Sequence, residues 1–465
     1  MIKNILRFAS AQTAVTFGNM LFSFFAARIL GPGAFGVFQA AKLADDYAEF
    51  LYLGMPISFR REIPRLIKEG KKKYVRLIIS AILSFGILAY SIYAVIVLIY
   101  AGFVANELLV MSLYGVTVMI FFRSVNSLGN IYLKSINNYK LLGWIEVIRP
   151  AVLLASILFL ARYGLIAAVV STAIVSVINA IFYFRVLSSQ LVFYFRFVKI
   201  FKLIKSAFPI YLISVSSILF ITLDRFLIAT LGSFENLGLY TVGSMVSTPI
   251  TLIVSSVSLV VFTETNSRMG KEQGLKDLSH YYDDPVDVVV NTVPTILFIG
   301  ILFMPFVVKA FLPDYVDGIV PAQVLVVGVY IRSLASFGIN GLYAIDMHRR
   351  LVSFFVKSGL LEIILIVIFL LSDLPLIFVA ISSLIGNLCF FLLVSYYIYK
   401  LKQSTGIESL RKIFHSSKLL LLLTVGVGIY FMYSPQDVIS LIAVSVFIVI
   451  TGALFAKPLY YKYKR

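Results

Sequence analysis

The stretch Arg28–Arg65 reads R-I-L-G-P-G-A-F-G-V-F-Q-A-A-K-L-A-D-D-Y-A-E-F-L-Y-L-G-M-P-I-S-F-R-R-E-I-P-R and joins two apolar segments through a Gly/Pro turn. The second segment carries charges that a membrane-spanning helix should not carry, namely Lys42, Asp45, Asp46 and Glu49. Their spacing of i, i+3, i+4 and i+7 places them on one face of a helix. Ionisable groups within a bilayer cost roughly 2.5–3.5 kcal/mol each and normally face a protein interior or a water-filled cavity. This helix therefore needs a polar cavity to line.

The composition of the chain is that of an integral membrane protein. Of its 465 residues, 60% are hydrophobic and 13% are charged, and the mean hydropathy is +0.97. A soluble domain is about 45–50% apolar and about 25% charged. Apolar segments long enough to span a bilayer, about 20 residues each, recur along the whole sequence. We therefore predict an all-α polytopic membrane protein with about fourteen transmembrane helices.

Several classes of chemistry are not expected from this sequence. Cys389 is the only cysteine, so there is no disulfide framework and no thiolate metal site. The three histidines lie far apart in predicted loops, and we expect no metal centre and no cofactor. No G-x-x-x-x-G-K-[ST] phosphate loop occurs. No long polar stretch offers room for a catalytic domain, and we predict that the protein is not an enzyme.

The net charge is +18, and the distribution of the basic residues indicates membrane topology rather than nucleic-acid binding. Basic residues cluster in alternate short loops, such as 60–76 and 185–205. The loops between them hold only Arg28, Arg162 and Lys309. Because cytoplasmic loops carry the excess of Lys and Arg, both termini are predicted to lie in the cytoplasm. An even number of spans follows from that orientation.

An internal repeat indicates two bundles of six helices. The motif R-S-V-N-S-L-G at Arg123–Gly129 returns as R-S-L-A-S-F-G at Arg332–Gly338. Repeated bundles of the same orientation are related by an axis along the membrane normal, with the site between them. The predicted organisation is an N-terminal six-helix bundle, a cytoplasmic amphipathic linker, a C-terminal six-helix bundle, and two extra helices with a basic tail, over residues 1–187, 188–206, 207–401 and 402–465 respectively.

Five basic residues fall within predicted spans and are candidates for substrate binding: Lys42, Arg123, Arg149, Arg225 and Arg332. Arg123 and Arg332 occupy equivalent places in the two halves, about eleven residues from the cytoplasmic helix end, or roughly 16 Å into the membrane. A guanidinium is always charged and binds phosphate oxygens in bidentate fashion, which suits an anionic or pyrophosphate-bearing substrate. Structural pairing with the carboxylates inside the bundles is the alternative for any one of these residues.

The acidic residues Asp45, Asp46 and Glu49 are candidates for ion coupling. Two adjacent carboxylates in a medium of low dielectric constant titrate as a strongly coupled pair. They could hold a proton or another coupling cation, or form a salt bridge with Lys42. The sequence leaves both alternatives open, and it leaves open whether transport is driven by H+, by Na+ or by the membrane potential.

Three motifs carry a resemblance to a known family. They are A-R-I-L-G-P-G-A-F-G-V-F, L-G-M-P-I-S-F-R-R-E-I-P-R-L and D-R-F-L-I-A-T-L-G, at residues 27–38, 53–66 and 224–232. With them the chain resembles the polysaccharide (O-antigen type) flippases of the multidrug/oligosaccharidyl-lipid/polysaccharide exporter superfamily. The resemblance implies two six-helix bundles that rock by alternating access around a central cavity, as in the multidrug and toxin extrusion transporters. Asp45 and Asp46 are not part of the family pattern.

The resemblance also implies a cargo and a location. A flippase of this kind carries a lipid-linked oligosaccharide from the cytoplasmic to the outer leaflet of the cell membrane, for surface polysaccharide or glycan synthesis. Its expected partners are that substrate, membrane lipids, and a polysaccharide polymerase or glycosyltransferases, with no nucleic acid. A cation-coupled exporter of small amphiphiles from the same superfamily is the first alternative. A membrane-embedded glycosyltransferase is the second, although the chain lacks a large loop for its catalytic carboxylates.

Overall fold

A computed structural model describes residues 2–191, 197–268, 278–344 and 347–401. Over these residues the fold is all α-helical, with two short 3-10 helices. The chain divides into two compact units, unit 1 (Met1–Thr241) and unit 2 (Val242–Arg465). The predicted pair of extra helices within 402–465 lies outside the described residues.

Unit 1 is built from six long or amphipathic helices and the first turns of a seventh. They are α1 (Ile2–Ala48), a 3-10 helix (Glu49–Tyr52), α2 (Met55–Lys68), α3 (Lys72–Ala101), α4 (Glu107–Ser135), α5 (Tyr139–Ser188), α6 (Phe197–Leu231) and the start of α7 (Phe234–Arg268). Helices α1, α4 and α5 pack closely on one another. Polar side chains from these three helices surround the candidate site.

Glycines break the two longest helices of unit 1. The 47-residue α1 has a non-helical φ of 70° at Gly31, and the 50-residue α5 has a φ of 52° at Gly164. At 1.5 Å per residue each helix is roughly 70–75 Å long, more than twice the thickness of a bilayer core of about 30 Å. Each is therefore long enough for two crossing segments separated at its glycine. The Gly/Pro turn predicted over residues 31–36 is confined to Gly31, and the helix resumes at Pro32.

The helix predicted over residues 35–58 ends earlier in the structure, directly after the acidic face of α1. The α-helix ends at Ala48, tightens into the 3-10 helix, and turns at Leu53 and Gly54 with φ values of 48° and 75°. A Cβ at Gly54 would lie 2.6 Å from the Cβ of Tyr211, so only glycine fits this turn. Helix α2 then begins at Met55, inside the predicted span. Its buried residues Phe59 and Ile63 attach it to the unit.

Unit 2 contains the rest of α7 and four further helices. These are α8 (Leu278–Phe311), α9 (Ile319–Ala344), α10 (His348–Leu371) and α11 (Leu376–Leu401), with a 3-10 helix at Pro313–Gly318. Helix α11 packs against both α9 and α10. Polar side chains also occur at the α10–α11 contact, where Ser383 donates a hydrogen bond to Glu362.

Nine helical segments in the described ranges are long and apolar enough to cross a membrane. The large apolar side chains of Leu158 and Leu371 are more than 70% exposed on these helices. In a soluble protein such exposure would be anomalous, whereas a lipid environment accounts for it directly. The chain is therefore a multi-pass membrane protein. The count of fourteen helices and the repeat of two six-helix bundles remain predictions.

The predicted linker 188–206 includes the end of α5 and the first turns of α6. Helix α5 ends at Ser188, residues 192–196 lie outside the described residues, and the remainder opens α6 at Phe197. The basic, aromatic-rich end of this segment is thus continuous with the following predicted span 207–231. Its placement on the cytoplasmic membrane surface stays a prediction.

Candidate functional site

An ion-paired triad lies at the end of α1. The guanidinium of Arg123 on α4 places Nη1 2.6 Å from Oδ1 of Asp45 and Nη2 3.1 Å from Oε2 of Glu49. Asp45 and Glu49 are four residues apart and share one helix face, so the planar fork of one arginine reaches both. The side chains of Arg123 and Asp45 are 22% and 17% exposed. Two carboxylates face one guanidinium, which leaves the triad with a formal charge of −1 when both are ionised.

A buried tyrosine fixes the position of Glu49. Tyr52, at the end of the 3-10 helix, donates a hydrogen bond from its hydroxyl to the backbone oxygen of Ser124 at 2.6 Å. Its ring packs edge-on against Tyr90 at 5.1 Å. A Cβ at Gly86 would approach the Tyr52 ring to 2.8 Å, so glycine on α3 makes room for it. Because a buried hydroxyl without a partner is costly, this bond ties the 3-10 helix to α4 beside Arg123.

A third carboxylate, that of Glu146, is held by neutral donors close to this triad. Glu146 on α5 accepts hydrogen bonds through Oε1 from Nδ2 of Asn130 at 2.7 Å and from the hydroxyl of Tyr183 at 2.5 Å. A Cβ at Gly129 would lie 2.5 Å from the Cβ of Tyr183, so glycine lets this tyrosine lie against α4. The buried residues Leu133, Leu142 and Ile145 pack around Tyr183. The carboxylate is thereby positioned on rigid helices.

These groups line one cavity of about 440 Å³ inside unit 1. Its wall is formed by α1, the 3-10 helix, α4 and both halves of α5, through Asp45, Glu49, Met119, Arg123, Asn126, Ser127, Asn130, Ile131, Lys134, Glu146, Arg149, Leu153, Thr172, Val175, Ser176, Asn179 and Tyr183. Most of these side chains are polar, although the helices that carry them are apolar overall. Buried Oδ1 atoms of Asn126 and Asn179 have no hydrogen-bond partner within the described ranges. The cavity therefore offers acceptors and charges to a polar ligand.

Arg149 is a second arginine of this cavity, and it makes no ion pair with a described residue. No carboxylate of the residues described lies within 4.0 Å of its guanidinium. It lies one turn after Glu146 on α5, next to Pro150. The Cβ that Gly18 lacks would lie 2.3 Å from the Cβ of Pro150, so α1 approaches α5 closely at this level. The Arg123 guanidinium is thus occupied by two carboxylates, whereas the Arg149 guanidinium is not paired with any described carboxylate within 4.0 Å.

Lys42 and Arg225, also predicted as site residues, lie close to this cavity. The Lys42 ammonium lies 5.5 Å from the centre of the Phe38 ring, and Asp46, Arg149, Asp45 and Arg225 are the charged groups near enough to act on it. Arg225 donates from Nη2 to the backbone oxygen of Ile221 at 3.4 Å. Its neighbour Asp224 accepts a hydrogen bond from the Tyr240 hydroxyl at 2.6 Å.

Arg332 is half-buried on α9 and belongs to unit 2. Of the eight predicted site residues, unit 1 thus holds seven, and Asp45, Glu49, Arg123 and Arg149 line its cavity together. Within the part of the chain that the structure describes, no group of three or more His, Cys, Asp or Glu side chains could hold a metal ion.

The Glu146 network is not among the site residues predicted from the sequence. A signal for it exists on α5, where Thr172, Ser176, Asn179 and Tyr183 follow one another at intervals of three or four residues. Such spacing gives a continuous polar stripe along one face of an apolar helix. Asn126 and Asn130 form the matching stripe on α4.

A family sequence profile described as "Polysaccharide biosynthesis protein" matches residues 25–321 of the chain. This range contains both the cavity of unit 1 and the first helices of unit 2. No curated protein sequence matches the chain.

Solved structures show the same fold at low sequence identity. The lipid II flippase MurJ in an inward closed conformation gives a TM-score of 0.70 at 17% identity, covering 98% of this chain and 99% of that one. An inward-facing multidrug resistance transporter of the MATE family in the MOP superfamily gives a TM-score of 0.68 at 15% identity, and the match covers 84% of this chain and 96% of that one. A MOP superfamily transporter from Pyrococcus furiosus gives a TM-score of 0.59 at 17% identity, and the match covers 86% of this chain and 97% of that one.

Proposed function

The chain belongs to the polysaccharide biosynthesis protein family, the O-antigen type flippases of the multidrug/oligosaccharidyl-lipid/polysaccharide exporter superfamily, and from that premise we propose its cargo and mechanism. The protein moves a lipid-linked diphosphate oligosaccharide from the cytoplasmic to the outer leaflet by alternating access. The sugar and diphosphate cross through the polar interior, while the lipid tail stays in the bilayer. No covalent step is required.

The observation that carries this proposal is the guanidinium of Arg149, which lines a polar cavity and makes no ion pair with a described residue. Arg149 lies ten residues after the start of α5 at Tyr139, or roughly 15 Å along the helix. A cation at that depth is costly unless it meets an anion or water. The guanidinium matches phosphate oxygens, and the neighbouring Asn126 and Asn179 can bond sugar hydroxyls. An anionic, hydroxyl-rich headgroup fits this combination.

Arg123 has a conditional role in this mechanism. Asp45 and Glu49 occupy its guanidinium, so it is not available to a phosphate while both carboxylates are ionised. Binding of a proton or another cation by these carboxylates would release Arg123 to the substrate. We therefore assign ion coupling to Asp45, Glu49 and the adjacent Asp46. Substrate binding is assigned to Arg123 and Arg149, with Lys42 and Arg225 beside the cavity and Arg332 in unit 2.

The proposed setting follows from the same premise. The protein would lie in the cell (inner) membrane with both termini in the cytoplasm, coupled to an H+ or Na+ gradient or to the membrane potential. Its partners would be the lipid-linked substrate, membrane lipids, and the polymerase or glycosyltransferases that extend the same polysaccharide.

A second candidate is a cation-coupled exporter of small amphiphiles. The acidic residues Asp45 and Glu49 in the cavity wall favour it, because carboxylates attract cationic amphiphiles. In that case the pair with Arg123 would be a structural salt bridge. Arg149 argues against this candidate, since a guanidinium that no described carboxylate pairs with would repel a cationic cargo.

Transport by the purified protein in proteoliposomes separates the two candidates. Transbilayer movement is measured for a labelled lipid-diphosphate oligosaccharide, for the same lipid with a neutral headgroup, and for a cationic amphiphile. The proposal predicts movement of the diphosphate lipid at a rate well above that of the neutral lipid. Movement of the cationic amphiphile alone, driven by a pH or Na+ gradient, would replace it with the second candidate.

A further inference from the structure

Glu146 lines the cavity of unit 1, and none of the roles proposed above uses its carboxyl group. Its Oε1 accepts hydrogen bonds from Asn130 at 2.7 Å and from Tyr183 at 2.5 Å. Its Oε2 makes no hydrogen bond or ion pair with a residue that the structure describes. The side chain is half-buried rather than sealed off. One oxygen is therefore fixed by the protein, while the other is free to bind a ligand.

Arg149 lies one turn away from Glu146 on the same helix. The two residues are three positions apart on α5, and both line the cavity. Residues at this spacing share one face of a helix, about 4.5 Å apart along its axis. No ion pair joins the two side chains. A phosphate group bound by Arg149 would therefore bring the sugar attached to it within reach of Glu146.

The polar side chains around this point direct their donors into the protein. The Nδ2 of Asn126 donates to the backbone oxygen of Ser176 at 3.0 Å, and the Thr172 hydroxyl donates to the backbone oxygen of Ala168 at 3.1 Å. The donors of the two residues that hold Glu146 are likewise used. A backbone oxygen can only accept, so the bond to Ser176 fixes the orientation of the Asn126 amide.

Acceptor oxygens are left over in the same wall. The Oδ1 of Asn126 and the Oδ1 of Asn179 are buried without a hydrogen-bond partner among the described residues, and Asn179 is 8% exposed. Together with Oε2 of Glu146 they offer three acceptors from three helical segments. Buried polar atoms are costly without a partner. A ligand that brings several hydrogen-bond donors would satisfy them.

We propose that Glu146, with Asn126 and Asn179, forms a subsite for the first sugar of the headgroup and selects a neutral, hydroxyl-bearing sugar over an acidic one. This inference rests on the proposed transport of a lipid-linked diphosphate sugar. Sugar hydroxyls are donors, and an ionised carboxylate only accepts. Hydrogen bonds from a hydroxyl to a carboxylate are roughly twice as strong as those between neutral groups. Glu146 would thus contribute most of the affinity for the sugar.

The charge of Glu146 accounts for the selectivity. A uronic acid carries a carboxylate on its ring and would place it against the carboxylate of Glu146. Juxtaposed like charges are strongly unfavourable, and proteins use them to reject wrong partners. The Arg149 guanidinium would not offset this repulsion, because the diphosphate occupies it. Glu146 is therefore a specificity-determining residue, whereas Arg149 binds the part that all such lipids share.

Transport of three matched lipids in proteoliposomes tests this role. The lipids are a lipid diphosphate that carries one glucose, the same lipid with one glucuronic acid, and the same lipid without a sugar. We expect the wild type to move the glucosyl lipid at least fivefold faster than the glucuronosyl lipid. Glu146→Gln should slow the glucosyl lipid several-fold, bring the ratio of the two rates close to one, and leave the sugar-free lipid unchanged.

Further variants separate selectivity from folding. Glu107→Gln, at an exposed position of α4 outside the cavity, is the matched control and should keep the wild-type ratio. Asn126→Ala should slow the glucosyl lipid relative to the sugar-free lipid, and it tests the subsite if Glu146→Gln does not fold. Lys134→Gln removes another cation of the cavity wall that an acidic sugar could meet, and it should not lower the preference for glucose.

The outcomes distinguish this inference from the proposed function. A wild type that moves none of the three lipids would refute the proposed function and this inference with it. A wild type that moves both sugar lipids at one rate would refute the inference alone. A folded Glu146→Gln protein that keeps the wild-type ratio would do the same, because a purely structural role slows both sugar lipids equally.

Discussion

In unit 1, the guanidinium of Arg123 lies 2.6 Å from Asp45 in the wall of a polar cavity of about 440 Å³. In unit 2, Glu362 on α10 is 2% exposed, and its carboxyl group accepts a hydrogen bond from Ser383 on α11. Both place an ionisable group inside a span. The first arrangement lines a polar cavity, whereas the second lies in a closely packed contact between α10 and α11. Ionisable groups inside the two units are thus accommodated in two ways, by ion pairs beside a polar cavity and by a hydrogen bond between packed helices.

The largest effect is expected from breaking the charged triad of unit 1. Arg123→Leu leaves Asp45 and Glu49 without a counter-ion, and we expect it to lower the free energy of unfolding by about 3 kcal/mol, at the low end for buried pairs because Glu49 is partly exposed. Denaturant unfolding in detergent micelles measures this loss.

Two further variants show whether charge is the cause of that loss. Arg123→Leu combined with Asp45→Asn and Glu49→Gln removes the uncompensated charges and should regain most of the stability. Arg162→Leu, at an exposed position of α5, should cost little. If Arg123→Leu costs no more than Arg162→Leu, the triad contributes nothing to stability and the contrast with unit 2 fails.

A smaller effect is expected from enlarging the residue that makes room for Glu362. Gly386→Ala would place a Cβ 2.6 Å from the carboxyl oxygen, and we expect a loss of about 2 kcal/mol, the usual cost of overpacking a well-packed core. Gly300→Ala in the same unit meets nothing within 4 Å and should be neutral or stabilising by about 1 kcal/mol through helix propensity. Equal stability of the two variants in a thermal unfolding measurement would show that the α10–α11 contact is loosely packed.

The smallest effect is expected from one donor of the Glu146 network. Tyr183→Phe removes the hydrogen bond to Glu146 but leaves the bond from Asn130, so a loss of about 1 kcal/mol is expected. Tyr163→Phe, at a half-exposed position of the same helix, is the control and should not change stability. A loss above about 3 kcal/mol would mean that Glu146 behaves as a buried unpaired charge, unlike the partly open site described for unit 1.

Much of the architecture could be predicted from the sequence because the bilayer imposes simple constraints. The membrane class and the family follow from composition and motifs, and both are confirmed. The spacing of Asp45 and Glu49 predicts that both face a polar environment, and both contact Arg123. The exact helix boundaries do not follow from hydropathy, because the 3-10 helix at Glu49–Tyr52 depends on the long-range bond from Tyr52 to Ser124.

The chemistry of the site was less predictable for a related reason. Periodicity shows which residues share a face of one helix, but it cannot show which face of another helix lies opposite. The pairing of Arg123 with Asp45, rather than with a substrate alone, depends on how α4 packs on α1. The contact of Glu362 with Ser383 likewise depends on the register of α10 and α11, which a single sequence does not reveal.

The most direct test of the account is the rate at which Arg149→Gln moves a labelled lipid-diphosphate oligosaccharide across proteoliposomes. Arg162→Gln on the same helix is the matched control, and both variants must match the wild type in Tm and in reconstituted amount. We predict a loss of roughly tenfold or more for Arg149→Gln, as expected for one charged hydrogen-bonding contact, and a wild-type rate for Arg162→Gln. A wild-type rate for a folded Arg149→Gln protein would contradict the assignment of the unit 1 cavity as the diphosphate site.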